Sequence, residues 1–216
     1  MNGGLSFQRA RKPQEQQLRR EAILMAAAEL FDAEGPAGAG LNAIAAKAGF
    51  TKSNVYRYFE SREDVLLSLF LDELTGFAAA FEAAIAPVPP GDLRTLARVA
   101  ADGFIARPRF PALLAILAGV LEQNVSEEKI IALKRSIAIL NVRIATALRS
   151  RLPGPSLDDC AWVAATAATL VAGMWPSVTA SSSVAKVLAM PEFAHLKPRP
   201  ARDLARAIEA LLVSIV

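Results

Sequence analysis

Apolar residues recur every three to four positions along most of the chain, which is the period of an amphipathic helix. Such stripes begin at Leu66, Ile130 and Leu204. Gly and Pro residues separate them, most clearly in the run Pro-Val-Pro-Pro-Gly at 87–91. No alternating apolar and polar run is long enough to predict a strand. The sequence therefore predicts an all-α protein of about nine helices.

Local signals at the ends of the helices fix several predicted boundaries. The run Ser-Arg-Glu-Asp at 61–64 has the form of a capping box, in which the hydroxyl accepts from the backbone three residues on and the carboxylate reaches back. It opens a long helix over 62–86. A preceding helix is expected from about residue 16 to a Gly-Pro stop at 35–36. The polar, Gly-containing residues 1–15 are interpreted as a flexible arm.

Two short helices, predicted over 41–48 and 52–58, are joined by a tight turn. Ala45 is small enough to let two crossing helices approach closely, and Gly49 stands where the chain leaves the first helix, a position that often needs a positive φ. Thr51 can cap the second helix. This is a helix-turn-helix layout, in which the second helix enters the major groove of DNA.

The overall charge is close to balance, with 24 Lys and Arg, 21 Asp and Glu and a net charge of +3, so it neither requires nor excludes nucleic acid. The first twenty residues differ, because they carry five basic residues and only one acidic residue, Glu15. This basic start is an electrostatic indication of a nucleic-acid partner. The five basic residues are Arg9, Arg11, Lys12, Arg19 and Arg20.

Cysteine content and hydropathy indicate the compartment. Cys160 is the only cysteine, which excludes an intrachain disulfide and fits a reducing cytosol. The uncharged stretch from 160 to 175 is 16 residues long and falls short of the roughly 18 that indicate a membrane span. It is interpreted as a buried or interface helix. We expect a cytoplasmic protein with no membrane partner.

The run IAAKAGFTKSNVYRYF at 44–59, followed by SREDVL at 61–66, resembles the DNA-binding domain of TetR-family regulators. The resemblance covers about residues 16–80, and its motif is far more restrictive than a lone Gly-rich loop. The rest of the chain is similar only in its helical layout. The resemblance implies a DNA-binding domain at 16–62 and a ligand-sensing and dimerisation domain at 63–216, with a connecting helix at 62–86, and the flexible basic arm at 1–15 precedes them.

Carried over by position, the family pattern places the second short helix on DNA. Ser53 and Asn54 can hydrogen-bond to base edges, and Lys52 can contact phosphate or guanine. Arg62, in the first turn of the next helix, is expected at a phosphate. Tyr58 could equally be a half-buried packing residue. The implied DNA-binding residues are Thr51, Lys52, Ser53, Asn54, Tyr56, Arg57, Tyr58 and Arg62.

The chain departs from the family pattern at the start of the first short helix. Ala39 and Gly40 stand where the family often has Thr or Ser, and Asn42 stands where a basic residue is common. Both departures should weaken the contacts with phosphate. We hypothesise that the basic arm, through Arg9, Arg11 and Lys12, compensates.

The resemblance also implies a ligand cavity and a dimer interface in the C-terminal helices. Each cavity residue could instead simply fill the core, and a solvated face is the alternative for Asn141 and Arg143, the candidate polar groups for orienting a ligand. The expected cavity residues are Phe104, Phe110, Leu114, Leu117, Ile137, Trp162, Met174 and Trp175. The expected interface residues are Ala161, Ala165, Ala168, Ala172, Leu204, Ile208, Leu211 and Leu212.

The sequence carries no recognisable catalytic constellation. His195 is the only histidine and, with Glu192, lacks the three or four convergent ligands of a metal site. We therefore expect no metal, no cofactor and no enzyme, with a helical enzyme and a constitutive DNA-binding factor as the open alternatives. The expected function is a sequence-specific transcriptional regulator. It would act as a homodimeric repressor released from a palindromic double-stranded DNA operator by a small apolar ligand.

Overall fold

The computed structural model describes residues 4–179 and 181–216, and of residues 4–13 it describes the backbone. Over these residues the chain forms ten α-helices, two short 3-10 helices and no strand, which confirms the predicted all-α class. The helices are α1 (Gly4–Gly38), α2 (Leu41–Lys47), α3 (Lys52–Val55), α4 (Arg62–Ile85), α5 (Leu93–Ile105), α6 (Arg109–Ile116), α7 (Glu127–Arg149), α8 (Leu157–Val178), α9 (Ser182–Leu188) and α10 (Pro200–Val213). The 3-10 helices are Leu121–Asn124 and Pro191–Leu196.

The chain divides into two compact units. The N-terminal unit contains the residues up to Leu69 together with Val120–Lys129, and the C-terminal unit contains Phe70–Gly119 and Ile130–Val216. The N-terminal unit thus extends past the expected boundary at residue 62 and takes in a segment from the middle of the chain. Leu121 of that segment is fully buried, and its Lys129 forms an ion pair with Asp64.

Helix α1 is longer than the sequence analysis predicts. The prediction that it begins near residue 16 is wrong, because the helix already begins at Gly4. Gln, Arg, Lys, Ala and Leu make up most of the residues between and are good helix formers, and the helix begins at Gly4 and continues through Pro13 in spite of the low helix propensity of Gly and Pro. The side chains of Arg9, Arg11 and Lys12 lie outside the part that the structure describes. The expected break at Gly35 is present, since that residue has a φ of 69°.

The capping box predicted at Ser61 is present, and two further helices are capped by side chains. The hydroxyl of Ser61 accepts from the backbone N–H of Asp64 at 3.1 Å, while the Asp64 carboxylate accepts from the N–H of Glu60 at 2.9 Å. At α5 the carboxylate of Asp92 accepts from the N–H of Thr95 at 3.0 Å. Ser156 and Asp159 form a complete capping box at α8. These short-range interactions fix where the long helices begin.

The C-terminal unit is built on α8, which packs against α6 and α10, and on α5, which packs against α10. The buried stripe of α8 has helical spacing and ends at Trp175. Pro176 does not kink this helix visibly but lies in its last turn, two residues before the end. Helix α9 follows α8, and Ser181 caps it by accepting from the backbone N–H of Val184.

Candidate nucleic-acid interface and apolar cavity

The helix-turn-helix in the N-terminal unit is formed by α2, a tight turn and α3. Gly49 adopts a φ of 73° in that turn, a conformation that a side chain would strain. Its neighbour Phe50 donates its backbone N–H to the carbonyl of Ala45 at 2.9 Å, which closes the turn. Ala45 and Val55 are both buried, so each helix contributes a small or β-branched residue to the interior of the unit. The turn and the packing therefore agree with the layout that the sequence predicts.

Helix α3 and the residues directly beside it carry seven of the eight residues expected on DNA, all except Arg62. Thr51 caps the helix, because its hydroxyl accepts from the N–H of Asn54 at 3.2 Å. Lys52 and Tyr56 are exposed, Tyr56 to 51%, and the Lys52 ammonium lies 5.8 Å from the centre of the Tyr56 ring. An exposed tyrosine held next to a cation on a short helix is available to a ligand, here a phosphate or a base. Of the remaining candidates, Ser53 and Arg57 are exposed, while Asn54 and Tyr58 are half-buried.

Arg62, which is expected at a phosphate, also has a structural role within the chain. Its guanidinium donates to the carbonyl of Ala39 at 3.0 Å and to the carbonyl of Pro36, and it lies 3.7 Å from the carboxylate of Glu63. These contacts tie the start of α4 to the link between α1 and α2. These hydrogen bonds use two of the five N–H groups of Arg62, so its contact with phosphate stays a prediction.

A polar cleft of about 480 Å³ lies beside the end of the helix-turn-helix. Arg57 and Tyr58 line one part of it, and α1 contributes Arg19 and Arg20. The guanidinium of Arg20 lies 5.3 Å from the centre of the Phe59 ring, a cation–π arrangement that holds it near this end of α3. Sequence reasoning noted the basic start of the chain but placed neither arginine in the site. The signal that could have found them is the basic residue pair on the helix that packs on α2.

An apolar cavity of about 240 Å³ lies within the C-terminal unit. One wall is a cluster of phenylalanines, in which the ring centres of Phe77 and Phe104 are 4.5 Å apart and those of Phe104 and Phe110 are 5.7 Å apart. Asn141 on α7 is the only polar side chain among the residues described as lining it. The lining comprises Phe70, Leu74, Phe77, Phe81, Leu96, Ala100, Phe104, Phe110, Leu114, Leu117, Ile137, Asn141, Ile144, Leu148, Val163, Ala164, Ala165, Ala167, Ala168, Ile208 and Leu212.

Five of the eight expected cavity residues line this space, namely Phe104, Phe110, Leu114, Leu117 and Ile137. The other three are corrected. Trp162 points away from the core and is 50% exposed, Met174 is half-buried outside the cavity, and Trp175 is buried elsewhere in the unit. The orientation of α8 about its own axis explains why Trp162 is exposed. The buried stripe of the helix continues from Val163 to Val171 and leaves Trp162 on the opposite side.

The expected interface residues separate into two groups. Leu204, Ile208 and Leu212 of α10 are buried within their own chain, where α10 packs on α5, so they are corrected to core residues. The others stay at least partly exposed. Ala165 is exposed and Ala161, Ala168, Ala172 and Leu211 are half-buried.

The two candidate polar residues of α7, Arg143 and Asn141, have different surroundings. Arg143 is exposed and donates Nε to the carboxylate of Glu82 at 2.7 Å, and this hydrogen bond holds the pKa of Glu82 below its usual range. Asn141 faces the cavity, and its amide nitrogen donates to the carbonyl of Ala161 at 3.4 Å. Arg143 thus belongs to the solvated face, while Asn141 can meet a ligand.

The single histidine and the single cysteine lie in different surroundings. His195 is exposed in the second 3-10 helix, and no cluster of metal-ligating side chains occurs within the described ranges. Cys160 is fully buried, and burial raises the pKa of its thiol.

The fold and the paired short helices define a helix-turn-helix DNA-binding regulator. Residues 23–69 match the family profile described as "Bacterial regulatory proteins, tetR family", and residues 71–213 match the profile described as "Tetracyclin repressor-like, C-terminal domain". The second match alone covers more than half of the chain. The chain therefore belongs to the TetR family of transcriptional regulators.

Curated relatives agree with this assignment over a short segment of the chain. The chain is 47% identical over 47 residues to the uncharacterized HTH-type transcriptional regulators Rv1255c and MT1294 of two Mycobacterium tuberculosis strains. That match spans 22% of this chain and only 23% of the length of each of these curated relatives.

Solved structures show the same fold over nearly the whole length. SmeT, the repressor of the Stenotrophomonas maltophilia multidrug efflux pump SmeDEF, has a TM-score of 0.54 at 24% identity, covering 91% of this chain and 90% of that one. The fatty acid degradation regulator FadR from Bacillus halodurans has a TM-score of 0.56 at 17% identity, covering 90% and 94%.

Proposed function

We propose that this TetR-family regulator is a cytoplasmic repressor that binds a palindromic operator as a homodimer and is released by a small apolar ligand. The observation that carries the proposal is the presence of two sites in one chain. An exposed, capped helix with hydrogen-bonding and basic side chains is available to DNA, and a separate apolar cavity is available to an effector. The name of SmeT describes a repressor with this fold, which is consistent with a repressing role.

The DNA contacts are proposed to come from α3 and the basic cleft beside it. Lys52, Ser53 and Tyr56 are exposed on α3 and can meet base edges and phosphates. Thr51, Asn54, Arg57 and Tyr58 complete the set, and Arg19 and Arg20 add positive charge from α1. Cations that line a cleft beside the reading helix favour the phosphate backbone.

Dimerisation is proposed because one short helix reads too few base pairs for specificity in a genome. Helix α8 is the one helix of the described chain that is long and apolar enough to cross a membrane, yet only a minority of its most apolar window is buried within the chain. Exposed apolar surface on a helix indicates a partner. The small residues Ala165 and Ala172 would let the α8 helices of two copies approach closely, with Leu211 beside them.

Release by a ligand is proposed as a shift between two conformations of the dimer. A ligand in the cavity lowers DNA affinity only by binding one conformation better than the other. Helices α4 and α7 are the elements proposed to transmit this shift, because residues of both line the cavity and the first turn of each belongs to the N-terminal unit.

The test is fluorescence anisotropy with the DNA that flanks the protein's own gene and with a scrambled duplex, over a salt series. We expect tight binding that is lost on scrambling and with Lys52→Ala plus Tyr56→Ala. The matched control is Lys186→Ala, which removes an exposed lysine from α9 in the C-terminal unit. Equal, weak binding to both duplexes would contradict a specific regulator at this site. Specific binding that no small molecule relieves would indicate a constitutive factor.

A further inference from the structure

We propose that the cavity in the C-terminal unit takes a neutral, planar aromatic molecule of about ten non-hydrogen atoms that carries one hydrogen-bond donor, and that it rejects anions. This inference rests on the proposed function, since it names the chemical class of the effector. It depends on four properties of the cavity, namely its charge, its volume, its aromatic wall and the position of Asn141.

The lining offers no charged partner to an ionised group that is held inside the cavity. All 21 lining residues except Asn141 are apolar, and none is Lys, Arg, His, Asp or Glu. A buried carboxylate without a cation or several donors is strongly unfavourable. Two nearby cations in the sequence are already paired outside the cavity, because Arg143 binds Glu82 and Arg109 lies 2.8 Å from the Glu73 carboxylate. A fatty acid or an acyl thioester of a nucleotide cofactor therefore lacks a partner for its charged group.

The volume sets the size of the ligand. An apolar cavity of about 150 Å³ binds benzene, which has six non-hydrogen atoms. The cavity here measures about 240 Å³. In proportion, it holds about ten non-hydrogen atoms at the same packing. A fused two-ring aromatic molecule has this size, whereas a long acyl chain exceeds it.

The wall of phenylalanines favours a flat aromatic ring. Phe77 lies at the centre of this wall, with its ring centre 4.5 Å from Phe104 and 5.1 Å from Phe110. Phe70 extends it, at 5.8 Å from Phe110. Rings at such separations interact by offset or tilted stacking, and a planar ligand continues the same arrangement.

Asn141 selects for one donor group. Its amide nitrogen donates one of its two N–H groups to the carbonyl of Ala161 at 3.4 Å, and its amide oxygen can accept a hydrogen bond from a ligand. An amide oxygen accepts hydrogen bonds, so the matching group on the ligand is a hydroxyl or an N–H. A ligand with such a group should bind about fivefold to tenfold more tightly than its hydrocarbon parent, the usual effect of one net hydrogen bond.

The experiment uses three probes that share the same two fused rings, 2-naphthol, naphthalene and 2-naphthoate, with binding to the full-length protein measured by calorimetry at pH 7. We expect 2-naphthol to bind best, naphthalene about fivefold to tenfold more weakly, and 2-naphthoate not measurably. Asn141→Leu should bring 2-naphthol and naphthalene to within twofold of each other. This variant keeps the shape of the side chain and tests the hydrogen bond alone.

A second pair of variants tests the location. Leu114→Trp fills the cavity with an apolar ring and should abolish binding of all probes, while Ile139→Trp adds the same ring at a position that is 68% exposed and should leave binding unchanged. Thermal unfolding of both variants shows that they are folded. Binding of 2-naphthoate equal to that of 2-naphthol, or full binding by Leu114→Trp, would overturn the inference.

The DNA assay separates this inference from the proposed function. Specific operator binding without binding of any probe would overturn the ligand class and leave the regulator intact. Probe binding in the expected order without specific binding to any duplex would support the cavity assignment while contradicting the proposed function. Binding of 2-naphthol that also releases the operator supports both.

Discussion

The ammonium of Lys129 lies 3.0 Å from Oδ2 and 3.2 Å from Oδ1 of Asp64, whose carboxylate is almost completely buried. Oδ2 also accepts the backbone N–H of Glu60. Asp64 is the third residue of α4, and Lys129 is the third residue of α7. The pair therefore joins the first turns of the two helices whose later turns line the apolar cavity.

Removing the cation from this pair should destabilise the N-terminal unit. A buried carboxylate without its partner keeps the cost of desolvation, but Lys129 is partly exposed and Glu60 still donates. We therefore expect Lys129→Met to lower the free energy of unfolding by about 2 kcal/mol, less than for a fully buried pair. Urea unfolding measures this change. The double variant Lys129→Met with Asp64→Asn should recover most of it, and equal loss in both variants would contradict the argument.

Replacing Gly40 with serine should raise both the stability of α2 and the affinity for the operator. Gly40 is the N-cap residue of α2 with extended backbone, makes no side-chain cap, and has nothing within 4 Å of the position of an added Cβ. Gly40→Ser should therefore add a cap worth a few tenths of a kcal/mol, about 0.3. It also places a hydroxyl where the TetR family often contacts phosphate, so operator affinity should rise. Anisotropy measures the change, and Gly40→Ala, which lacks the hydroxyl, should show no gain.

The basic start of α1 should contribute to DNA affinity. Deleting residues 1–15 removes Arg9, Arg11 and Lys12 and should lower affinity and reduce the dependence of log K on log salt by about 2–3, since each phosphate contact contributes about 0.9. Deletion leaves Arg19 and Arg20 in place, so binding should weaken without disappearing. The salt series checks this directly. An unchanged slope would show that the start of the helix does not contact phosphate.

The features that the sequence predicted correctly are those encoded within a few residues. The capping box at Ser61 and the helix-turn-helix around Gly49 depend on neighbours three or four positions apart. The role of Arg62 could not be predicted this way, because the carbonyls that it binds are 23 and 26 residues away in the chain.

The faces of the C-terminal helices were harder to assign for a related reason. An apolar stripe shows that a helix has a covered side, but it does not show whether the cover is the same chain or a second copy. Leu204, Ile208 and Leu212 form such a stripe, and α5 of the same chain covers it. In α8 the alternation of Ala and Thr gives little contrast between faces, so Trp162 was assigned to the wrong side.

The capping box of α8 should make stability depend on acid. The hydroxyl and the backbone N–H of Ser156 hydrogen-bond to the carboxylate of Asp159 and hold its pKa below the usual range. The unfolded chain, with an ordinary pKa of about 3.9, then binds more protons in acid than the folded chain does. This stabilisation is complete above the unfolded pKa and is lost as the pH falls through the folded pKa.

We therefore expect Asp159→Asn to lower the melting temperature at pH 7 and to reduce its decrease between about pH 5 and pH 2. Asp158→Asn removes the same charge from the same turn without touching Ser156, so its melting temperature should stay closer to that of the natural protein. Thermal unfolding followed by circular dichroism gives both values. Parallel pH curves for Asp159→Asn and the natural protein would contradict the argument.

The exposed side of α8 should hold the proposed dimer together. Glu in place of Ala172 and of Leu211 puts two carboxylates into a surface that two copies are proposed to share, and burying them without cations opposes association. Ala168, which is also on this side, is left unchanged because it lines the cavity.

Light scattering after gel filtration should give the monomer mass of 23.0 kDa for Ala172→Glu with Leu211→Glu. It should give twice that mass for the natural protein and for Ala138→Glu, which changes an exposed position of α7. The monomer should lose tight operator binding, because two half-sites are no longer read together. A variant that stays dimeric would place the interface elsewhere on the chain.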